Sequence, residues 1–155
     1  MTLNDYTFLE DDLEQASLEW LEEIGYEIRN GVEFAPSGAN SERKDFGEVV
    51  LENRLKFALQ RINDVSDDVI DEAIRKITIP QNPQMTINNR TFHKFITDGI
   101  DIATREDDRN VTKKVWLFDF EQHKNNDFLA INQFIVMEGR ENTRPDIILF
   151  VNGLP

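Results

Sequence analysis

The 155-residue sequence predicts an α/β fold of the α+β kind, with helices first and a mostly antiparallel sheet after them. Three observations carry that prediction. Up to residue 98, apolar residues recur at three- and four-residue spacing, the period of a helix with one buried face. After Gly99 the pattern changes to short apolar runs bounded by polar, turn-forming stretches. The connections between those runs are too short to bring neighbouring strands into parallel pairing. The expected organisation is one domain over 1–155, helical over about 1–99 and sheet-forming over about 100–155.

The helices follow in order. Thr7 and Glu10 have the spacing of a capping box, and Leu9, Leu13, Ala16, Trp20 and Ile24 form one apolar stripe that stops at Gly25. On this reading Glu10, Glu14 and Glu22 face solvent, although Glu14 borders the stripe and can point between helix and sheet. A short strand is expected around Tyr26-Glu27-Ile28, and a loop from Gly31 to Asn40. Asp45 and Glu48 are a second capping pair, opening a helix from about Phe46 to Ile62 with Leu51, Leu55, Ala58, Leu59 and Ile62 inward. Ser66 caps a third helix carrying Ile70, Ala73, Ile74 and Ile77, which Pro80 and Pro83 end. A fourth, from Asn88 to Thr97, packs Phe92, Phe95 and Ile96 and stops at Gly99.

The strands come next. Ile100 to Thr104 and Val115 to Phe120 read as strands flanking a polar turn from Arg105 to Asn110. Phe128 to Met137 reads as another, with Asn132 and Gln133 as polar interruptions, and Gly139 to Thr143 as a loop. The final stretch is Arg144-Pro145-Asp146-Ile147-Ile148-Leu149-Phe150-Val151-Asn152-Gly153-Leu154-Pro155. Five consecutive apolar residues predict a strand buried on both faces. Asn-Gly predicts a two-residue hairpin turn, because both of its central residues need φ > 0. The sequence stops just after that turn and reads as the front part of a longer protein. Asp146 stands at the mouth of the strand, on the face of Ile148 and Phe150 by the period of two. A carboxylate there needs water, a cation or a metal ion to face it.

Composition narrows the function. Hydrophobic residues make up 39%, enough for a packed core. With no Cys and only His93 and His123, disulfide frameworks, thiolate sites and multi-His zinc sites are not expected. His93 lacks a second His one turn away and reads as a surface or hydrogen-bonded residue. Neither a signal peptide nor a membrane-length apolar run is present, so a cytoplasmic protein without a membrane partner is expected. The net charge is −13, and residues 1–28 carry nine Asp or Glu and no Lys or Arg. Tight phosphate binding by this piece alone is not expected.

Several segments, in order, resemble one family. Arg144 to Pro155 resembles the sequence leading into the nuclease core of the restriction (R) subunit of type I restriction-modification enzymes. Glu14 to Tyr26 is similar to that subunit's first helix. Val50-Leu51-Glu52-Asn53-Arg54-Leu55 with Ala58-Leu59-Gln60-Arg61-Ile62-Asn63 is similar to its second. Asn89-Arg90-Thr91-Phe92-His93 and Gly99-Ile100 match its middle segment. Leu117-Phe118-Asp119-Phe120, Asn126-Asp127-Phe128 and Asn132-Gln133-Phe134 match its early strands. The resemblance covers nearly the whole chain.

The resemblance implies a nuclease domain of the PD-(D/E)xK type. It makes Asp146 the Mg2+-binding Asp and, with an acid from the first helix, a catalytic residue. Glu14 is the first candidate for that acid and Glu10 the second. A Glu-x-Lys is implied on the strand after Asn-Gly-Leu-Pro. The core is therefore incomplete within 1–155, and this N-terminal endonuclease fragment is expected to be inactive alone. Asp119 and Asp127 are left as structural residues. The resemblance further implies Mg2+-dependent cleavage of unmodified double-stranded DNA, coupled to ATP-driven translocation by a motor outside these residues. It implies the modification and specificity subunits as partners. The competing reading is a stand-alone acidic module that binds a basic protein or mimics DNA charge.

Overall fold

A computed structural model describes residues 3–155, with side chains from residue 10 onward. It contains five α-helices, one short 3-10 helix and seven strands among those residues. The helices are α1 (Leu3–Glu23), α2 (Gly31–Phe34), α3 (Glu52–Ile62), α4 (Asp67–Thr78) and α5 (Met85–Asp98). The strands are β1 (Glu27–Asn30), β2 (Ile100–Glu106), β3 (Arg109–Val115), β4 (Phe128–Asn132), β5 (Val136–Glu138), β6 (Glu141–Thr143) and β7 (Ile147–Val151). The fold is α+β, and antiparallel pairing dominates: β2–β3, β4–β7 and β5–β6 are antiparallel, while β1–β4 is parallel. No described helix is long and apolar enough to cross a membrane. The backbone groups into two compact units.

The first unit comprises the residues up to Leu51 with Phe128–Val151 and Pro155. Its sheet has the order β1-β4-β7. Strand β4 is central, and Leu129, Ala130 and Ile131 are fully buried there, the continuous apolar run that a strand covered on both faces requires. Phe34, Leu51, Leu129, Ile131, Phe134 and Phe150 form the core, with Ile148 and Val136 packed against it. The Phe134 and Phe150 rings meet edge-on, 5.4 Å between centroids. Strand β7 lies at the sheet edge, and Leu149 is 41% exposed. On the Ile148–Phe150 face its apolar run is covered, while on the other Ile147 and Val151 are half-buried and Leu149 is exposed, which corrects the expectation of full burial on both faces.

Helix α1 already includes Thr7, so the Thr7–Glu10 pair does not start it; the Thr7 and Leu9 side chains lie outside those described. Its inward face also differs from the expected stripe. Leu18 is buried and Leu21 and Glu14 are half-buried, at i, i+4 and i+7 spacing, whereas Leu13, Trp20 and Ile24 are 68–74% exposed. The helix carries two apolar rows, and the sheet takes the one that holds Glu14.

Arg43 closes the core of this unit. It is 4% exposed, and its guanidinium lies 3.9 Å from the Phe134 ring centroid. It donates to three backbone oxygens: Phe34 O (3.4 Å), Glu48 O (3.3 Å) and Ile135 O (2.6 Å). Burial holds its pKa below the usual guanidinium value, with Asp45 and Glu48 opposing that shift. The Asp45–Glu48 pair forms its turn, since Asp45 Oδ1 accepts from the Gly47 and Glu48 N–H groups. No helix follows until Glu52, because Gly47 and the β-branched Val49 and Val50 are poor propagators.

The second unit comprises Glu52–Asp127 with Asn152–Leu154. Leu55, Ala58 and Leu59 of α3 and Val69, Ile70, Ala73 and Ile74 of α4 are buried as their spacing required. Strands β2 and β3 pair over seven residues, from Ile100↔Val115 to Glu106↔Arg109. The turn between them is Asp107-Asp108, both at positive φ (47° and 61°), a conformation usually given to Asn or Gly. This corrects the expected strand at Val115–Phe120: the strand lies earlier and ends at Val115. The backbone of 116–119 is taken up by side-chain amides instead. Trp116 N–H donates to Asn63 Oδ1 (2.7 Å) and Trp116 O accepts from Asn63 Nδ2 (2.9 Å). Leu117 O accepts from Asn152 Nδ2 (2.8 Å), and Asp119 N–H donates to Asn126 Oδ1 (2.9 Å).

Asn152 is the centre of this arrangement and is fully buried. Besides Leu117 O, its Nδ2 donates to Asn126 Oδ1 (2.9 Å), while its Oδ1 accepts the Asp127 N–H (2.7 Å). Asn152 and Gly153 have φ of 54° and 79°, the two positive values that the Asn-Gly turn demanded. Asp127 pairs with Arg54 at 3.1 Å. Asp119 accepts from the Glu121 and Gln122 N–H groups and from Asn125 Nδ2. Those bonds, the Gln122 N–H first, hold its pKa below the usual carboxylate value.

Candidate functional site

The expected strand Phe128–Met137 is interrupted in the structure, and the interruption builds the site. Strand β4 ends at Asn132, and Gln133 follows at φ 55°. A non-glycine residue held there costs about 1 kcal/mol or more and needs surrounding structure to hold it. Two contacts do so. The Gln133 N–H donates to Asp146 O (3.1 Å), extending the β4–β7 ladder by one bond beyond Asn132↔Ile147. Gly31, at the start of α2, packs so closely that a β-carbon on it would meet Gln133 O at 2.4 Å and Asn132 O at 2.8 Å. Only glycine allows that approach. After the break, β5 and β6 form a hairpin through Gly139 (φ 63°), where a loop was expected.

The turn at Gln133 aims two amides at Glu14. Asn132 Nδ2 donates to Glu14 Oε1 (2.9 Å), and Gln133 Nε2 donates to Glu14 Oε2 (3.1 Å) with a longer contact to Oε1 (3.4 Å). Glu14 is half-buried on α1, while Glu10, one turn earlier, is exposed. Among the described residues it is Glu14, not Glu10, that these amides hold. Asp146 is exposed at the open end of β7, and its main chain is tied to Gln133. One residue therefore connects both sequence-identified acids, Glu14 through its side chain and Asp146 through its backbone. Asn132 and Gln133 were read from the sequence as interruptions of a strand, not as site residues. Two adjacent amides inside an apolar run were the available signal.

Glu14 and Asp146 both carry carboxylates, which are hard oxygen donors. That suits Mg2+, which is commonly held by one or two carboxylates, with waters and substrate phosphates completing its shell. Among the described residues no group of three or more His, Cys, Asp or Glu is arranged to hold a metal ion. Two amide contacts fall on Glu14 Oε1 and one on Oε2, so the free lone-pair position of the carboxylate is on Oε2. His93 and His123 are both exposed and belong to the second unit.

Comparison with known proteins is consistent along the chain. The model of a family described as type I restriction enzyme R protein N terminus matches residues 7–155. The chain is 32% identical over 148 residues to the type I restriction enzyme HindI endonuclease subunit of Haemophilus influenzae, covering 94% of this chain and 14% of that protein. It is 30% identical over 147 residues to a putative type I restriction enzyme MjaIXP endonuclease subunit of Methanocaldococcus jannaschii, covering 92% and 14%. A putative MjaVIIIP endonuclease subunit from the same archaeon is 28% identical over 107 residues, covering 68% and 10%. The chain thus spans about one seventh of the length of the first two relatives.

Proposed function

The chain belongs to the family of type I restriction enzyme R protein N termini, and from that premise we propose that it forms the front of an endonuclease domain that cuts double-stranded DNA with Mg2+. The intact subunit couples this cleavage to ATP-driven translocation by a motor outside these 155 residues, and works with modification and specificity subunits. The observation that carries the reading is the tie of Glu14 and Asp146 to the single residue Gln133. Asp146 and Glu14 are the residues that hold the cation. When bound, it supplies charge neutralisation at a phosphate oxygen and a more acidic water. Asp146 binds from the strand mouth, where it is open to solvent and to substrate. Glu14 binds from the helix, its carboxylate plane set by Asn132 and Gln133. The core apolar residues Ile148 and Phe150 fix the strand beneath Asp146.

The net charge of −13 fits a subunit whose grip on DNA comes from elsewhere in the assembly. A Glu-x-Lys following the Asn-Gly-Leu-Pro turn is not among these residues, so the 155-residue chain alone binds Mg2+ weakly and does not cleave. In the complete R subunit assembled with its partners, Asp146→Asn is expected to lower Mg2+-dependent DNA cleavage more than about a hundredfold, with ATP hydrolysis unchanged. Cleavage at the unmodified rate by that variant would refute the assignment.

A further inference from the structure

The second unit contains an open cleft of about 400 Å3, lined by Ile62, Trp116, Phe118, Asp119, Phe120 and Glu121. It uses none of the residues of the proposed cation site. Its walls are aromatic: the Phe118 and Phe120 rings stand 6.1 Å apart between centroids at 53°, and Trp116 is 40% exposed. Its only charged lining groups are the carboxylates of Asp119 and Glu121. Ring faces carry negative charge density and attract cations, Arg more often than Lys. The carboxylates act in the same direction and repel phosphates, which disfavours a nucleotide despite the ring faces. Lys114 Nζ, 5.8 Å from the Trp116 centroid, is held by Asp101 (2.8 Å) and by Asp98 O (2.9 Å), so its charge is already met outside the cleft.

The cleft is also held in shape before anything binds. Asn63 clamps the Trp116 backbone from both sides, Asn152 holds Leu117 O, and Asn126 holds the Asp119 N–H. Asp119 remains ionised to lower pH than an ordinary carboxylate, through its bonds to the Gln122 N–H and the Asn125 side chain. An ordered aromatic wall loses little entropy on binding. A planar guanidinium can stack on a phenyl face while its N–H fork meets a carboxylate, a combination that a spherical ammonium does not offer.

From these observations we infer that the cleft formed by Trp116, Phe118, Phe120 and Glu121 is a docking site for an arginine side chain presented by a polypeptide segment. The guanidinium stacks on the exposed face of Phe120, and Glu121 at the exposed rim accepts its hydrogen bonds. The site is independent of the nuclease reading, so either can fail without the other.

The test uses the 155-residue protein and the capped tripeptide Gly-Arg-Gly, followed by NMR of the Trp116 indole and the amides of 116–121. A saturable shift confined to those signals is expected. Phe120→Ala and Glu121→Gln each weaken it about threefold to fivefold. Both positions are exposed, so the remaining spectrum stays unchanged and reports the intact fold. A peptide with neutral citrulline in place of arginine is expected to give no shift. Equal binding of the citrulline peptide, shifts outside 116–121, or no shift at all would overturn the inference. Tighter binding of free spermidine than of the arginine peptide would overturn the polypeptide occupant.

Discussion

Asn152→Ala is expected to destabilise the protein by about 3–5 kcal/mol, read as a lower urea midpoint. The buried amide makes three side-chain hydrogen bonds, to Leu117 O, Asn126 Oδ1 and the Asp127 N–H. Alanine leaves Leu117 O and the Asp127 N–H without those partners in a place where water does not reach, at about 1–3 kcal/mol each. Alanine also lacks the polar side chain that lets asparagine tolerate φ 54°, which adds about 1 kcal/mol. Against a total stability of about 5–15 kcal/mol this is a large fraction. Asn152→Gly separates the two terms. It loses the same hydrogen bonds but tolerates the backbone, and should recover about 1 kcal/mol relative to alanine. Asn152→Asp preserves shape but turns the donor toward Leu117 O into an acceptor, and should behave no better than alanine. An Ala variant within ~0.5 kcal/mol of the parent would refute both contributions, whereas a Gly variant that recovers the parent's stability would show that the turn, not the hydrogen-bond hub, is what Asn152 supplies.

Arg43→Met is expected to cost about 2–4 kcal/mol in the same measurement. Methionine fills much of the space over Phe134 but donates nothing, so Phe34 O, Glu48 O and Ile135 O lose their shared donor. The stacked cation itself contributes roughly 1–2 kcal/mol more. Arg43→Lys keeps the charge but not the planar fork, and one ammonium cannot take the place of three separated N–H donors; it should recover less than half of the loss. Full recovery by lysine would mean that charge, not fork geometry, closes this core.

These two residues also mark where the sequence stops being legible. The buried rows of α3 and α4 follow directly from periodicity, because Leu55–Ala58–Leu59 and Ile70–Ala73–Ile74 each have a single apolar face to offer. Helix α1 offers two, and spacing alone favoured the Leu13–Trp20–Ile24 row. The sheet instead takes Leu18 and Leu21 with Glu14, because Asn132 and Gln133 supply donors on that side. Periodicity has no access to that compensation. The positive φ values at Asn152-Gly153 could be read from the dipeptide, but the burial of Asn152 depends on residues 117, 126 and 127, remote in sequence. Arg43 gave no signal for the same reason, since its acceptors are backbone oxygens, which every residue possesses. The turn at Asp107-Asp108 lies within the expected Arg105–Asn110, but the strand after it was misplaced because β3 is mostly polar and the apolar run begins only at its last residue, Val115. At the candidate site, Asp146 and Glu14 were named from a resemblance. Gln133, which ties them together, takes a backbone conformation that its residue type does not advertise.

The central claim is that Asp146 and Glu14 face one hard cation. Mn2+ titrated at millimolar concentration into the 155-residue protein, with amide NMR as the readout, tests it most directly. Paramagnetic broadening is expected first at the amides flanking Glu14, Asn132, Gln133 and Asp146, and is expected to be lost there in Asp146→Asn. Broadening that instead follows the exposed acids Asp11, Asp12, Glu19, Glu22 and Glu23 along α1, and that ignores Asp146→Asn, would contradict the claim.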